Sequence, residues 1–288
     1  SSALSNSFNI GPNSSIQVIS FRNLGLNYTT TANIIGLPWD GNIGGVIAIE
    51  VSNTLTLNHS ISADFIGFRG GVKSANSAGP VCVAANSTLY ITNSANLGYK
   101  GESIFLWTNA AHSNARGKIL NGGGGGGDHN AGGGGGGNYS VGGQGGNGYN
   151  NCAAFPGGGL GGIALSSVIS GSRVFMGGGG GGGQQNNSVS TSGGNGGGII
   201  LIKATTLLTN TICGAPISIT ANGQNAANTS GGANDGAGGG GAAGSVVLQV
   251  ANFSLSATCA LTVSANGGNG GNCTTGTPHA GGGGGGQG

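Results

Sequence analysis

A chain of 288 residues with 70 glycines but only 6 prolines and no strict Gly-X-Y period cannot be collagen, and 36% hydrophobic residues set it apart from chains that stay disordered through charge. Charged residues are 5% of the total, against about 25% in ordinary globular proteins, and the 8 Lys and Arg are scattered singly, so no basic stripe exists to neutralise phosphates and nucleic acid is excluded as a partner. No apolar run approaches the roughly 20 residues of a membrane-spanning helix, and a net charge of +2 leaves solubility to Asn, Ser, Thr, Gln or attached sugar.

Residues 1–40 are polar, with short alternating stretches in which Ile16, Val18, Ile19 and Phe21 supply the apolar positions. Alternation of this kind is the signature of a half-buried strand. The segment lies outside the repeat that follows. It is read as an N-terminal β arm or cap, with those four side chains as candidate contacts to another subunit. No charged-then-apolar leader opens the sequence, so an exported chain would begin at Ser1 after its signal is removed.

The remainder, 41–288, is a glycine-rich β domain built on a repeat. Its first copy spans about 44–71 and contains Val46-Ile47-Ala48-Ile49-Glu50-Val51; the second spans about 197–223 around Ile199-Ile200-Leu201-Ile202-Lys203-Ala204; the third spans about 243–268 around Val246-Val247-Leu248-Gln249-Val250. Gly198 to Gly244 and Cys213 to Cys259 are both steps of 46 residues, which puts the second and third copies in register. Each copy offers short β-branched strands bounded by glycine, as stacked rungs require, because one rung cannot bury its apolar face alone. Helical periodicity is nearly absent. The predicted fold class is therefore all-β, with β-solenoid or β-sandwich-like stacked rungs and almost no α-helix.

Between the first two copies lies a polyglycine insertion at about 121–196, with runs at 122–127, 132–137 and 177–183; a fourth run occupies 281–286. Uninterrupted glycine suits the extended polyproline-II rod, with three residues per turn, about 3.1 Å rise and backbone groups that bond only to neighbours. The runs are predicted to pack side by side as a polyglycine-II layer. The joints between them, at 128–131, 138–141 and 184–192, are candidate recognition loops.

Equivalent positions of stacked rungs lie about 4.8 Å apart, within reach of a disulfide, so Cys213 and Cys259 are the leading candidate pair. Cys82, Cys152 and Cys273 are further disulfide candidates, with one left over for a partner in another subunit. Nine Asn-X-Ser/Thr sites are glycosylation candidates: Asn13, Asn27, Asn58, Asn86, Asn138, Asn186, Asn228, Asn252 and Asn272. With the cysteines and the low charge they point to an extracellular or cell-surface setting.

Chemistry-bearing residues are sparse. Asp40, Glu50, Asp64, Glu102, Asp128 and Asp235 are the only acids and His59, His112, His129 and His279 the only histidines, and they are dispersed. No catalytic residue, metal ligand or cofactor is assigned. Asp128-His129, the one adjacent acid–histidine pair, is read as a solvated turn. Trp39, Trp107, Tyr139 and Tyr149 could stack on sugars, with Trp107 read as core.

Gly67-Phe68-Arg69-Gly70-Gly71, Gly98-Tyr99-Lys100-Gly101-Glu102-Ser103, the serial glycine runs and Gly197-Gly198-Ile199-Ile200-Leu201-Ile202 resemble the glycine-rich secreted surface proteins of bacteria and archaea. The runs also resemble the polyglycine-II sandwiches of phage tail-tip adhesins and snow flea antifreeze proteins, although the long β-branched strands depart from those. The resemblance implies a fibre component or an adhesin. The expected function is a non-enzymatic subunit of an extracellular filament that joins copies of itself by strand contacts; the chain ends in six glycines plus Gln287 and Gly288 without a polar cap, as a joining end would. The alternative is a receptor-binding tip that recognises surface glycans or a host or cell receptor through the joint loops. Ice binding and a polysaccharide lyase are weaker rivals, for want of a regular flat face and of clustered acids.

Overall fold

The computed structural model describes residues 17–77, 92–106, 109–148, 157–170, 173–210, 213, 215–230, 235–274 and 281–288. Among these the protein is almost entirely extended. The only helical segment is a 3-10 turn at Ala110–His112, capped by the Asn109 side chain.

Among the described residues, nine strands form two open, all-parallel sheets. The first contains β1 (Arg22–Asn23), β2 (Asn27–Thr29), β4 (Val46–Leu57), β6 (Ile199–Thr209) and β8 (Ser245–Ser254), in the order β1-β4-β6-β8 with β2 also on β4. The second contains β3 (Ile34–Ile35), β5 (Ile61–Ser62), β7 (Ile217–Thr220) and β9 (Leu261–Ser264), in the order β3-β5-β7-β9. Strands of period two present alternate residues to one face. Ile47, Ile49, Val51, Leu55 and Leu57 of β4 with Ile200, Ile202 and Leu207 of β6 therefore meet Ile61, Ile217 and Ile219 of the second sheet in a single core. On the outer face Glu50 and Lys203, register partners, form an ion pair at 2.7 Å.

The register carries the sequence repeat into space. Ile199 pairs Ser245 and Ala204 pairs Val250, a step of 46. Ile217 pairs Leu261, a step of 44. The turn after Cys259 is thus two residues shorter than the turn after Cys213, and a shift of two keeps every side chain on its own face.

Residues 22–35 differ from the reading of 1–40 as a segment outside the repeat. Arg22 pairs Ile49, Tyr28 pairs Leu55 and Ile34 pairs Ile61, a constant offset of 27. They form a partial further level on β4 and β5, interrupted where Gly25 takes φ +93°. Leu24, Tyr28 and Ile34 turn inward and pack on the core.

Beyond the strands the chain continues as glycine rods. Along 177–183, successive N–H groups turn through three neighbours: Gly177 and Gly180 donate to Gly197 and Gly194, Gly178 and Gly181 to Gly137 and Gly134, Gly179 and Gly182 to Glu102 and Tyr99. Its carbonyls accept from three others: Phe68, Gly71 and Ser74; Gly123 and Gly126; Ala242 and Gly239. Six extended segments therefore surround this one, and every residue bonds sideways with a period of three, the rotation of a polyproline-II rod. A methyl group on any of these seven glycines would come within 1.9 to 2.2 Å of a neighbouring carbonyl oxygen. Only glycine allows that spacing, and the lateral bonds satisfy backbone groups that burial would otherwise leave stranded.

Candidate assembly surface

The edge of each sheet determines what the two-sheet core can meet. On one side β8 and β9 end their sheets, and no strand pairs their outer sides among the described residues. A parallel edge strand presents a row of outward N–H and C=O groups, a template for another strand. Val246, Leu248, Val250 and Leu261 face the core yet remain half-buried, because no further level covers them. Phe253 is 53% exposed and Val263 46% exposed beside them. The same positions one level inward, Ile200, Ile202, Leu207 and Ile219, are fully buried. The core is therefore apolar through to its open end.

The opposite edge is formed by β1, β2 and β3, which among the described residues pair on one side only. Leu26, Ile35 and Leu37 are strongly exposed there. Val18, Ile19 and Phe21, proposed contacts on sequence grounds, are exposed too, while Ile16 lies outside the described residues. Both edges thus combine unpaired parallel strands with exposed apolar side chains, and strand direction is the same at each.

The connections between the two sheets carry a cross-link. Cys213 and Cys259 form a disulfide with Cα atoms 5.7 Å apart, joining the tips that follow β6 and β8. Cys82 and Cys152 lie outside the described residues, and Cys273 is half-buried. Among the glycosylation candidates, Asn27, Asn58, Asn228, Asn252 and Asn272 are exposed and Asn186 is half-buried; Asn13 and Asn86 lie outside the described residues. Asn138 is a correction. It is fully buried, and its Nδ2, the atom a glycan would need, donates to the carbonyls of Ala243 at 2.9 Å and Gly244 at 3.0 Å.

The joints also differ from expectation. Asp128, His129, Asn130 and Ala131 are all buried, so this turn is neither solvated nor a recognition loop. At the second and third joints Tyr139, Val141, Asn187, Ser188 and Ser192 are exposed, and the remaining residues are buried or half-buried. Trp107 and Tyr149 lie outside the described residues.

Sequence reasoning missed the polar side chains that finish the rods. Asp235, fully buried, accepts from the backbone N–H groups of Asn186, Asn187 and Val189. Gln184, also fully buried, donates to the carbonyls of Gln185 and Asn96. Asn121 accepts from Ile104 N–H and donates to Gly137. The available signal was position: each of the three directly flanks a glycine. Along two neighbouring rods, Asn222, Asn225 and Asn228 accept from the N–H groups of Asn266, Asn269 and Asn272 at 2.7 to 2.9 Å, a side-chain ladder with the period of three.

No group of three or more His, Cys, Asp or Glu side chains that could hold a metal ion occurs among the described residues. No described helix is long and apolar enough to cross a membrane. Comparison with protein-family models, with curated proteins and with solved structures finds no match to this chain.

Proposed function

We propose that this chain is a non-enzymatic extracellular structural protein, a subunit of a cell-surface filament whose β-solenoid rungs stack from copy to copy and whose polyglycine-II layer stiffens each unit. The observation that carries the reading is the pair of open edges. Setting the β1–β3 edge of one copy against the β8–β9 edge of the next would extend both sheets with strand direction unchanged and cover Val246, Leu248, Val250, Phe253, Leu261 and Val263. Such contact is head-to-tail, and a head-to-tail interface that does not close into a ring grows without limit. Main-chain pairing supplies affinity and the apolar ends supply register.

The adhesin alternative loses its best loop, since the turn at 128–131 is buried. The cross-linked tips fit an extracellular setting, where disulfides persist. Sedimentation velocity over a concentration series tests the assembly directly. The intact chain is expected to form larger species as concentration rises, and Val250→Lys with Val263→Lys, which place charges on the open end, is expected to remain monomeric with its far-ultraviolet spectrum unchanged. A monomeric parent chain, or assembly untouched by the two lysines, would sink the proposal.

A further inference from the structure

A second feature stands apart from the sheet edges and does not depend on assembly. A cavity of about 450 Å³ opens where the glycine rods meet the first level of the sheets. Its size lies within the roughly 300 to 1,000 Å³ of small-molecule sites. In a chain with 8 basic and 6 acidic residues, three of the charged side chains, Arg69, Lys100 and Glu102, line this one cavity. Trp39, Phe68 and Tyr99 line it as well. Convergence of scarce charges and aromatic rings on one concavity is what a binding site requires and what random surface placement does not give.

The walls are held in place. Trp39 meets Phe68 edge to face with ring centroids 5.9 Å apart, and its backbone N–H donates to Ile66. Glu102 accepts from Arg69 at both Nε (2.9 Å) and the backbone N–H (3.0 Å), as well as from Nη2, and Arg69 Nη1 donates to the Asp40 carbonyl at 3.0 Å. The segment carrying Tyr99 and Glu102 is bonded through its carbonyls to Gly182 and Gly179 of the central rod. Groups fixed on a rigid support lose little freedom when a ligand arrives. Burial pulls the Lys100 amine down to about 8.

The chemistry selects the ligand class. Arg69, Lys100, Glu102 and the adjacent Asp40 nearly cancel in charge, so the site favours a neutral molecule. The Arg69–Glu102 pair offers donors and acceptors side by side, matched to adjacent hydroxyl groups, while an aromatic ring suits the apolar C–H face of the same molecule. We propose that this cavity binds one neutral hexose-type glycosyl unit, with Trp39 against its C–H face and the Arg69–Glu102 pair on its hydroxyls. The sugar could belong to an outside polysaccharide or to an N-glycan on another copy of this chain.

Saturation-transfer NMR on the full chain, with the methyl glycosides of glucose, galactose and mannose and with N-acetylglucosamine at about 10 mM, tests the site for affinities of about millimolar. At least one probe is expected to receive saturation. Trp39→Ala and the milder Glu102→Gln are each expected to weaken it by about tenfold or more, whereas Val168→Ala, at an exposed side chain that does not line the cavity, is expected to leave it unchanged. Circular dichroism of each variant separates lost binding from lost folding, and Glu102→Gln keeps the test valid if Trp39→Ala misfolds. Binding seen only after enzymatic removal of N-glycans assigns the site to a neighbouring copy's sugar; binding before and after assigns it to an outside saccharide. No saturation of any of the four probes in either state, or binding that folded Glu102→Gln retains in full, would overturn the proposal.

Discussion

At Gly181 a methyl group would sit 1.9 Å from the carbonyl oxygen of Gly124 and 2.4 Å from its carbon, so even alanine forces two rods apart. At Gly284 the same methyl group meets nothing closer than a carbonyl oxygen at 3.9 Å. The two positions belong to similar glycine runs, and the sequence cannot tell them apart. Gly181→Ala is expected to lower stability by about 3 kcal/mol or more, through overpacking against backbone that cannot move aside. Gly284→Ala is expected to raise it by about 0.5 kcal/mol, because alanine restricts the unfolded chain. Urea unfolding midpoints of the two variants decide it; equal losses at both sites would mean that close packing does not explain the glycines. The same limit hid the fate of Asn138 and of the turn at 128–131. Both read as surface because they are polar, yet neighbouring rods bury them, and the Asn138 amide donates to the carbonyls of Ala243 and Gly244.

The elements were legible where side chains mark them. Ile199 to Ala204 and Val246 to Val250 repeat closely enough that the register of β6 on β8 follows from the 46-residue step, and with it the pairing of Cys213 with Cys259. The partial level at β1–β3 was not legible. Its offset of 27 differs from 46, its strand is broken at Gly25, and only Leu24, Tyr28 and Ile34 carry its apolar signal. Lateral order among the rods was likewise hidden, since glycine carries no side chain to specify a neighbour. The disulfide spans 46 residues, and loop-closure entropy for that span amounts to about 4 kcal/mol. Replacing both cysteines by serine is expected to lower unfolding free energy by about 2 to 4 kcal/mol, and reducing agent is expected to shift the parent but not the variant. Cys259 is fully buried, so part of any loss reflects a polar atom placed there; a Cys213→Ala, Cys259→Ala variant separates this contribution. Reduction without effect on the parent's midpoint would show that the tips are held by packing alone.

For the molecule as a whole, the strands of each sheet follow one order, from β1 and β2 through β4 and β6 to β8 in the first and from β3 through β5 and β7 to β9 in the second. Among the described residues each sheet is open at both ends of that order, and the chain continues from the strands into the glycine rods. If copies add end to end, the stacking direction becomes the filament axis. Strands then lie across the axis at the usual inter-strand spacing, and the rods brace each level against the next. A contact through the glycine layer would instead place the strands' stacking direction across the filament. The most direct test is X-ray fibre diffraction from aligned filaments of the purified protein, checked by electron microscopy of the same sample. The proposed arrangement predicts uniform filaments with a reflection at about 4.8 Å on the meridian. Discrete particles, or filaments whose reflection at that spacing falls on the equator, would contradict it.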